Sequence, residues 1–336
     1  MTDPVAANGT YTGLGQNLGN DITAITKFIT EQMDNIIAQD AKTNGMTADS
    51  AFVQGTSVAG TVKLATMLTT GLGNYDKIEG YPVGGINLTW EEYTLANDRA
   101  ISATIDRRDQ QASGGLATAA AALAETMRQE VIPEIDATRM AKLYSVLNAN
   151  NTANANVVAE AAPTGANIVS KIIAGINHIA DATGIEDGMT IYVNSSMRAA
   201  LDASSEVTWM RDIQSGKANV DTAVRQIRGN NLVFVPAKRM KTTVTLNDGF
   251  TNALTDSTDK KSIDRTKFGF TPGAKDIYFA ITTPGVANAV TAINSTKVIP
   301  AEINQRWDGD TFQFRIYHDL IVPKYKTPAA YMQVKS

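Results

Sequence analysis

The sequence predicts an α+β fold arranged around one long helix. Hydrophobic residues recur every three or four positions from residue 113 to residue 148, which is the spacing of a helix with one buried face. Between residues 61 and 107 the period falls to two, as in β-strands, and from 165 to 292 strand and helix patterns alternate. Together these patterns predict a long helix, an extended β-rich excursion and a separate α/β region.

The long helix is predicted over residues 113–148, and at 1.5 Å per residue it would be about 50 Å long. Ser113 is placed to cap its start. Pro133 lacks an N–H and crowds the preceding turn, so we expect a kink or two abutting helices there. Asp136 and Arg139, three residues apart, are expected to pair on the solvent side. The apolar face is formed by Leu116, Ala120, Leu123, Met127, Val131 and Ile135.

The N-terminal region combines a polar segment with an amphipathic helix. Residues 1–20 carry few large apolar groups, so we expect neighbouring subunits rather than their own packing to order them. A helix capped by Asp21 is predicted to end near Lys42, and it packs either on its own domain or on a neighbouring subunit. Six acids and two lysines give residues 1–50 a net charge of −4. The apolar face of the helix is formed by Ile22, Ile25, Phe28, Ile29, Met33, Ile36 and Ile37.

An extended excursion is predicted over residues 58–107. Two alternating runs flank a segment rich in turn residues, and a third run, AISATID, ends at Asp106. Such a ribbon is marginal in water unless its apolar side is covered, either by the α/β region or by another copy of the chain. The apolar positions of the first two runs are Val62, Leu64, Ile86, Leu88 and Trp90.

The second half of the chain predicts a compact α/β domain followed by strands. A helix over 166–183 has isoleucines in step, and a strand at 190–193 leads into a short helix capped near Asn194. Further strands are predicted at 232–235 and 243–246, and the segment 274–293 is predicted to form a strand and then a helix. In the tail, Phe312, Phe314 and Ile316 alternate with polar residues, which favours a sheet along the long helix.

Composition excludes several classes of function. The chain has 336 residues, 43% of them hydrophobic, which is enough for a core and more than one domain. A net charge of −4 and a pI near 5.3 provide no basic footprint for nucleic acid. No cysteine is present, which excludes disulfides, thiolate nucleophiles and zinc–thiolate sites. There is no signal-peptide pattern, and no apolar run approaches the ~20 residues of a membrane-spanning helix.

No catalytic or cofactor motif emerges from the residues. His178 lies near the apolar stripe of its helix and is expected to be structural. His318 and Asp319 are adjacent on a predicted strand, so their side chains point to opposite faces and make a poor catalytic dyad. Neither a Walker-type phosphate loop nor a nucleophile elbow occurs in the sequence. We therefore expect a structural protein rather than an enzyme, with no cofactor and no bound metal.

Four segments together carry a resemblance to a known family. They resemble the major capsid proteins of tailed bacteriophages with the Hong Kong 97-type fold, most strongly over 60–145 and 298–320 and weakly over the α/β region. The segments are TWEEYTLANDR (89–99), IDRRD (105–109), VIPEIDATR (131–139) and PAEINQRWDGDTFQFRIYHD (300–319).

The resemblance implies a shell protein that assembles into hexamers and pentamers of an icosahedral head. It implies a virion protein assembled in the bacterial cytoplasm, which encloses double-stranded DNA and works with a portal, a separate scaffolding protein and possible decoration proteins. The alternatives are an encapsulin-type nanocompartment shell and, less favoured, a cytosolic enzyme. The implied domains are an N-terminal arm (1–57), an extended loop (58–107), a peripheral domain with the long spine helix (108–164 and 293–336) and an axial domain (165–292).

Four further expectations complete the sequence-based account. The assembly interface is expected to use the five apolar loop residues named above and, in the arm helix, Ile25, Phe28, Ile29 and Ile36. Because the chain is acidic, the free protein should not bind DNA. We expect no covalent cross-link through the loop residues Lys63 or Lys77. Because the sequence begins at Met1, we expect no N-terminal cleavage.

Overall fold

The computed structural model describes residues 40–46, 53–54, 60–78, 80–112, 119–204, 226–250 and 263–336. The predicted cap at Ser113 and the arm residues Ile25, Phe28, Ile29 and Ile36 lie outside these ranges. Within them, no helix has the length and apolar character needed to cross a membrane.

The described chain contains six α-helices and fourteen strands. The helices are α1 (Arg107–Ala112), α2 (Ala119–Thr126), α3 (Ile132–Ala149), α4 (Asn151–Asn154), α5 (Ile168–Thr183) and α6 (Arg198–Asp202). The strands are β1 (Val53–Gln54), β2 (Thr61–Thr69), β3 (Ile86–Thr94), β4 (Asn97–Asp106), β5 (Val157–Glu160), β6 (Thr190–Asn194), β7 (Gln226–Ile227), β8 (Asn230–Val235), β9 (Val244–Leu246), β10 (Phe270–Pro272), β11 (Ile277–Thr282), β12 (Asn288–Ile299), β13 (Gly309–Ile321) and β14 (Ala330–Lys335).

The chain divides into two compact units, and both are discontinuous in sequence. The first contains residues 1–40, 98–129 and 293–316, and the second contains 41–97, 130–292 and 317–336. The second unit therefore holds the ribbon of β2 and β3 together with most of the α/β region. The four-part domain division predicted from the sequence stays a prediction.

The predicted interruption at Pro133 is confirmed. Between α2 and α3 the chain forms a π-helical turn at Met127–Val131, and Pro133 stands within the first two positions of α3. There the missing N–H of proline breaks no helical hydrogen bond, and the wider turn before it gives the ring room. Asp136 departs from its prediction, because it is completely buried and does not face solvent.

The second unit is built on a mixed six-stranded sheet with the order β5-β14-β11-β6-β8-β7. Met140, Leu143 and Leu147 of α3 belong to one buried cluster with the sheet, and the isoleucines of α5 belong to another. A Cβ at Gly175 of α5 would lie 2.7 Å from the Tyr331 ring, so the absence of a side chain there allows close packing. The helix 166–183, the strand at 190–193 and the Asn194 cap, which accepts from the Ser196 N–H, are confirmed.

One predicted helix is wrong. The chain from Asn288 to Ile299 is strand β12, in a three-stranded sheet with the order β12-β13-β4. The alanines and asparagines of this segment do not set a helical period, and its β-branched Val290, Thr291 and Ile293 suit a pleated strand. The third run of the predicted loop, AISATID, belongs to β4 in this same sheet. The alternation of Phe312, Phe314 and Ile316 is confirmed, since all three are buried along β13.

Candidate assembly interface

The register of the ribbon decides which of its residues share a face. Strands β2 and β3 pair antiparallel, with Leu64 opposite Glu91, Ala65 opposite Trp90 and Met67 opposite Leu88. Opposite residues lie on the same face of a two-stranded ribbon, and successive residues alternate between faces. Even-numbered residues of β2 therefore share a face with odd-numbered residues of β3.

The inner face of the ribbon is defined by Val62, Leu64 and Tyr93. Val62 and Leu64 are almost completely buried, in a cluster with Leu95, Val290 and Ile321 of the same chain. The expectation that Val62 and Leu64 contact a neighbouring subunit is therefore wrong, because their own chain already covers them.

The outer face of the ribbon is defined by Met67, Ile86, Leu88 and Trp90. These four side chains are 63%, 76%, 50% and 50% exposed, respectively. Ile86, Leu88 and Trp90 stay as predicted interface residues. Met67 lies on this exposed face as well, and the signal that could have found it is its cross-strand partner Leu88, which only the register identifies.

The tip of the ribbon, residues 70–85, adds more exposed apolar surface. Leu72, Ile78 and Val83 are almost fully exposed, and Tyr75 and Tyr81 are more than half exposed. The turn-rich composition of this segment predicts a loop, and it contains no periodic pattern from which the exposure of its apolar side chains could be predicted.

Hydrogen bonds and one ring contact give the tip a defined shape. Asp76 and Gly80 exchange two backbone hydrogen bonds of 3.2 and 2.8 Å, and the Asp76 carboxylate accepts from the Ile78 N–H. The Tyr75 and Tyr81 rings meet edge to face, with centroids 5.1 Å apart. The exposed apolar side chains are therefore presented on an ordered support, which lowers the entropic cost of binding.

The root of the ribbon is held by close contact with β13. The Tyr317 hydroxyl donates to the Leu95 carbonyl at 2.9 Å, and the Leu95 N–H donates to the Gly60 carbonyl at 2.8 Å. Gly60 has φ +74°, and a Cβ there would lie 2.2 Å from the Tyr317 oxygen. Only glycine meets both conditions, so Gly60 fixes where the ribbon begins.

Polar and charged groups near the root face one another across the ribbon or along it. Tyr93 donates a hydrogen bond to Glu91 on the inner face. Burial, followed by this hydrogen bond and the Glu91 charge, raises the pKa of Tyr93 well above its usual range. On the outer face Lys63 stands opposite Glu92, and both are exposed. Opposite charges at facing positions favour this register.

The histidines lie in structural settings. His178 Nε2 is 3.0 Å from the Asn154 carbonyl and 3.2 Å from Asn156 Oδ1, two acceptors that favour a proton on that nitrogen. His318 and Asp319 are both buried in β13, and Asp319 accepts a hydrogen bond from the Ala96 N–H. Among the described residues, no group of three or more histidines and acids is placed to hold a metal.

Comparison with solved structures identifies similar backbones. The chain matches the capsid of the cyanophage P-SCSP1u with a TM-score of 0.53 and 11% identity, covering 87% of this chain and 86% of the other. It matches the mature capsid of bacteriophage PhiM1 with a TM-score of 0.50 and 14% identity, covering 82% and 81%. No protein-family model matches the sequence, and no curated protein does. The likeness is one of backbone, and it establishes that this chain shares the fold of both capsid chains.

Proposed function

We propose that this chain, which has the Hong Kong 97-type fold, is the major capsid protein of a tailed bacteriophage. It self-assembles into hexamers and pentamers, and these close an icosahedral head around double-stranded DNA. The protein acts structurally, through contacts between copies, and it needs no cofactor.

The observation that carries this proposal is the exposed apolar surface of the ribbon. Nine large apolar side chains between Met67 and Trp90 are at least half exposed. Monomeric proteins rarely expose continuous apolar surface of this kind, whereas the centres of obligate interfaces are apolar. A second copy of the chain covers the outer face and tip in the assembled shell. Ile86, Leu88 and Trp90 then contact the neighbouring subunit, together with the arm residues Ile25, Phe28, Ile29 and Ile36.

The proposed domains follow the four-part scheme of the sequence analysis. Residues 1–57 form the arm, and 58–107 form the extended loop. Residues 108–164 and 293–336 form the peripheral domain, and 165–292 form the axial domain at capsomer centres. The ribbon of β2 and β3 lies inside the proposed loop, and the six-stranded sheet lies largely inside the proposed axial domain.

The charge of the chain supports a passive role in holding DNA. Protein–DNA affinity depends mainly on the neutralisation of phosphates by basic side chains. With a net charge of −4, this chain encloses DNA that a separate motor delivers. We further propose a separate scaffolding protein, a portal and possible decoration proteins as partners, assembly in the bacterial cytoplasm and a final location in the virion.

The same fold also suits the alternative function of a nanocompartment shell, which holds cargo enzymes in place of a genome. The contents of particles isolated from the native source separate the two functions. Nuclease-resistant double-stranded DNA supports the phage head, and a co-purifying enzyme without DNA supports the nanocompartment.

The direct test of assembly compares three proteins by sedimentation and negative-stain electron microscopy. The wild type is expected to form closed angular particles. Trp90→Ala is expected to remain largely as free subunits or capsomers. Asn87→Ala is the matched control, because Asn87 is exposed on the same strand and points to the other face. Equal particle yields from wild type and Trp90→Ala would contradict the role of the outer face.

A further inference from the structure

We propose that two buried carboxylates, Asp136 and Asp319, are positioning residues for assembly. They hold the two ends of residues 41–97, the ribbon-bearing segment, and so set the direction in which the ribbon leaves the rest of its unit. This inference rests on the proposed function and adds residues that lie outside the interface itself.

Asp136 holds the first end of the ribbon-bearing segment. It lies on α3 and is fully buried, yet its oxygens have four donors. The Thr43 N–H and hydroxyl donate to Oδ1 at 3.1 and 2.6 Å. The Lys42 N–H and Arg239 Nη1 donate to Oδ2 at 3.2 and 3.0 Å. Two of the four donors are backbone groups, so the carboxylate fixes the path of the main chain as well as one side chain.

The segment 41–46 is secured at further points. Thr43 is fully buried, and its hydroxyl also accepts from Arg139 Nη1 at 3.1 Å. Three residues later, Met46 is buried in the main core, and its carbonyl accepts from the Ala289 N–H at 3.0 Å. Residues 41–46 are thus anchored in the core, although they form the beginning of the ribbon-bearing segment.

Asp319 holds the second end. It is buried on β13, and its Oδ2 accepts from the Ala96 N–H at 3.1 Å. The Lys142 ammonium lies 3.7 Å from the same oxygen. Ala96 follows directly after the inner-face cluster residue Leu95, so this bond fixes the chain where the ribbon rejoins the unit.

The two anchors have the same arrangement of groups, and helix α3 contributes a residue to each. Each carboxylate accepts a hydrogen bond from a backbone N–H of the ribbon-bearing segment. Each is also paired with a cation outside that segment, Arg239 or Lys142. Helix α3 carries Asp136 and Lys142, so it takes part at both ends. Detaching either end would leave a buried carboxylate short of donors, which is strongly unfavourable.

The geometry of the ribbon makes its root important for assembly. Nine residues of strand at about 3.3 Å each place the tip roughly 30 Å from the root. A change of about 10° at the root would therefore move the tip by roughly 5 Å over that length, enough to misplace Leu72 or Val83 against a neighbouring subunit. Anchoring by Asp136 and Asp319 therefore keeps the tip of the ribbon in the position needed to contact a neighbouring subunit.

The test uses the full-length chain and two measurements. Asp136→Asn keeps the size of the side chain and removes its charge, and Asp319→Asn does the same at the other end. Amide hydrogen exchange of the unassembled subunit is expected to be at least about tenfold faster at Lys42 and Thr43 in Asp136→Asn, and at Ala96 in Asp319→Asn. The amides of β11 should keep their protection. Electron microscopy is expected to show a larger share of open or irregular particles from both variants.

Two controls keep the test decisive. Asp98→Asn removes a half-exposed carboxylate paired with Arg315, and it should alter neither readout. If Asp136→Asn does not fold, Thr43→Val can replace it, because this change removes only the hydroxyl contacts of that anchor. It should still speed hydrogen exchange of the amide at position 43. Unchanged exchange at the three named amides would overturn the proposal, and so would faster exchange combined with normal particles. If the wild type forms no particles, the proposed function fails, while the exchange data still decide whether the anchors exist.

Discussion

Leu64 and Trp90 lie on opposite faces of the ribbon, because Leu64 pairs with Glu91 and Trp90 pairs with Ala65. Leu64 is 3% exposed and belongs to the fold of its own chain, whereas Trp90 is half exposed and available to another copy. This relationship separates residues that stabilise the subunit from residues that drive assembly, and it can be tested with matched variants.

Stability should depend on the inner face. Leu64→Ala is expected to lower the free energy of unfolding by about 2–5 kcal/mol, since it leaves a cavity in a buried cluster. Leu88→Ala, the matched control on the outer face, is expected to change that free energy by less than about 1 kcal/mol. Urea denaturation of the unassembled subunits measures both values. Equal losses from the two variants would contradict the assignment of faces.

Assembly should show the opposite order. Leu88→Ala is expected to reduce the yield of closed particles at subunit concentrations where wild type assembles, because interface anchors contribute most of the binding energy. Leu64→Ala should assemble in proportion to the fraction that remains folded. Light scattering during assembly, corrected for the folded fraction, measures this. A Leu88→Ala yield equal to wild type would contradict the prediction.

The root of the ribbon should tolerate no side chain at Gly60. Gly60→Ala introduces a Cβ 2.2 Å from the Tyr317 oxygen at a backbone angle of φ +74°, so we expect a loss of stability above about 1 kcal/mol. Gly71→Ala is the matched control within the tip, because no atom lies within 4 Å of its added Cβ. Thermal unfolding compares the two variants. A Gly60→Ala melting temperature equal to that of Gly71→Ala would show that the root has room.

Alkaline pH should weaken the fold through Tyr93. Burial and then the Glu91 hydrogen bond raise the pKa of this phenol in the folded chain. The folded state therefore holds the proton more tightly than the unfolded state, whose phenol titrates near pH 10. The contribution is complete below about pH 10 and declines as pH rises further. Tyr93→Phe should show a shallower loss of unfolding free energy between roughly pH 9 and 11, the range around the pKa of the unfolded phenol. Identical slopes for Tyr93→Phe and wild type would contradict this.

The long elements of the fold could be predicted because each has a strong local period. The isoleucines of the helix 166–183 and the alternating phenylalanines of β13 mark their buried faces directly in the sequence. Pro133 marks the interruption of the long helix, because proline has no N–H and its ring crowds the preceding turn, so it suits only the first turn of a helix.

The remaining features depend on pairings between distant segments. The faces of the ribbon follow from its register. A register shift of one residue would move Leu64 to the outer face and its sequence neighbours to the inner face. Asp136 resembled a surface residue because its spacing from Arg139 suits an exposed pair, while its partners Thr43 and Arg239 are 93 and 103 residues away. The helix predicted in the later part of segment 274–293 is wrong, because pairing in a sheet, which the local residues do not reveal, makes residues 288–299 strand β12.

The central claim is that copies of this chain close into a shell, and electron microscopy of the purified wild-type protein tests it most directly. The account predicts closed angular particles of uniform size, built from hexamers and pentamers, at concentrations where Trp90→Ala remains unassembled. A wild-type protein that stays monomeric over a wide range of concentration and salt, with or without a co-expressed scaffolding protein, would contradict it.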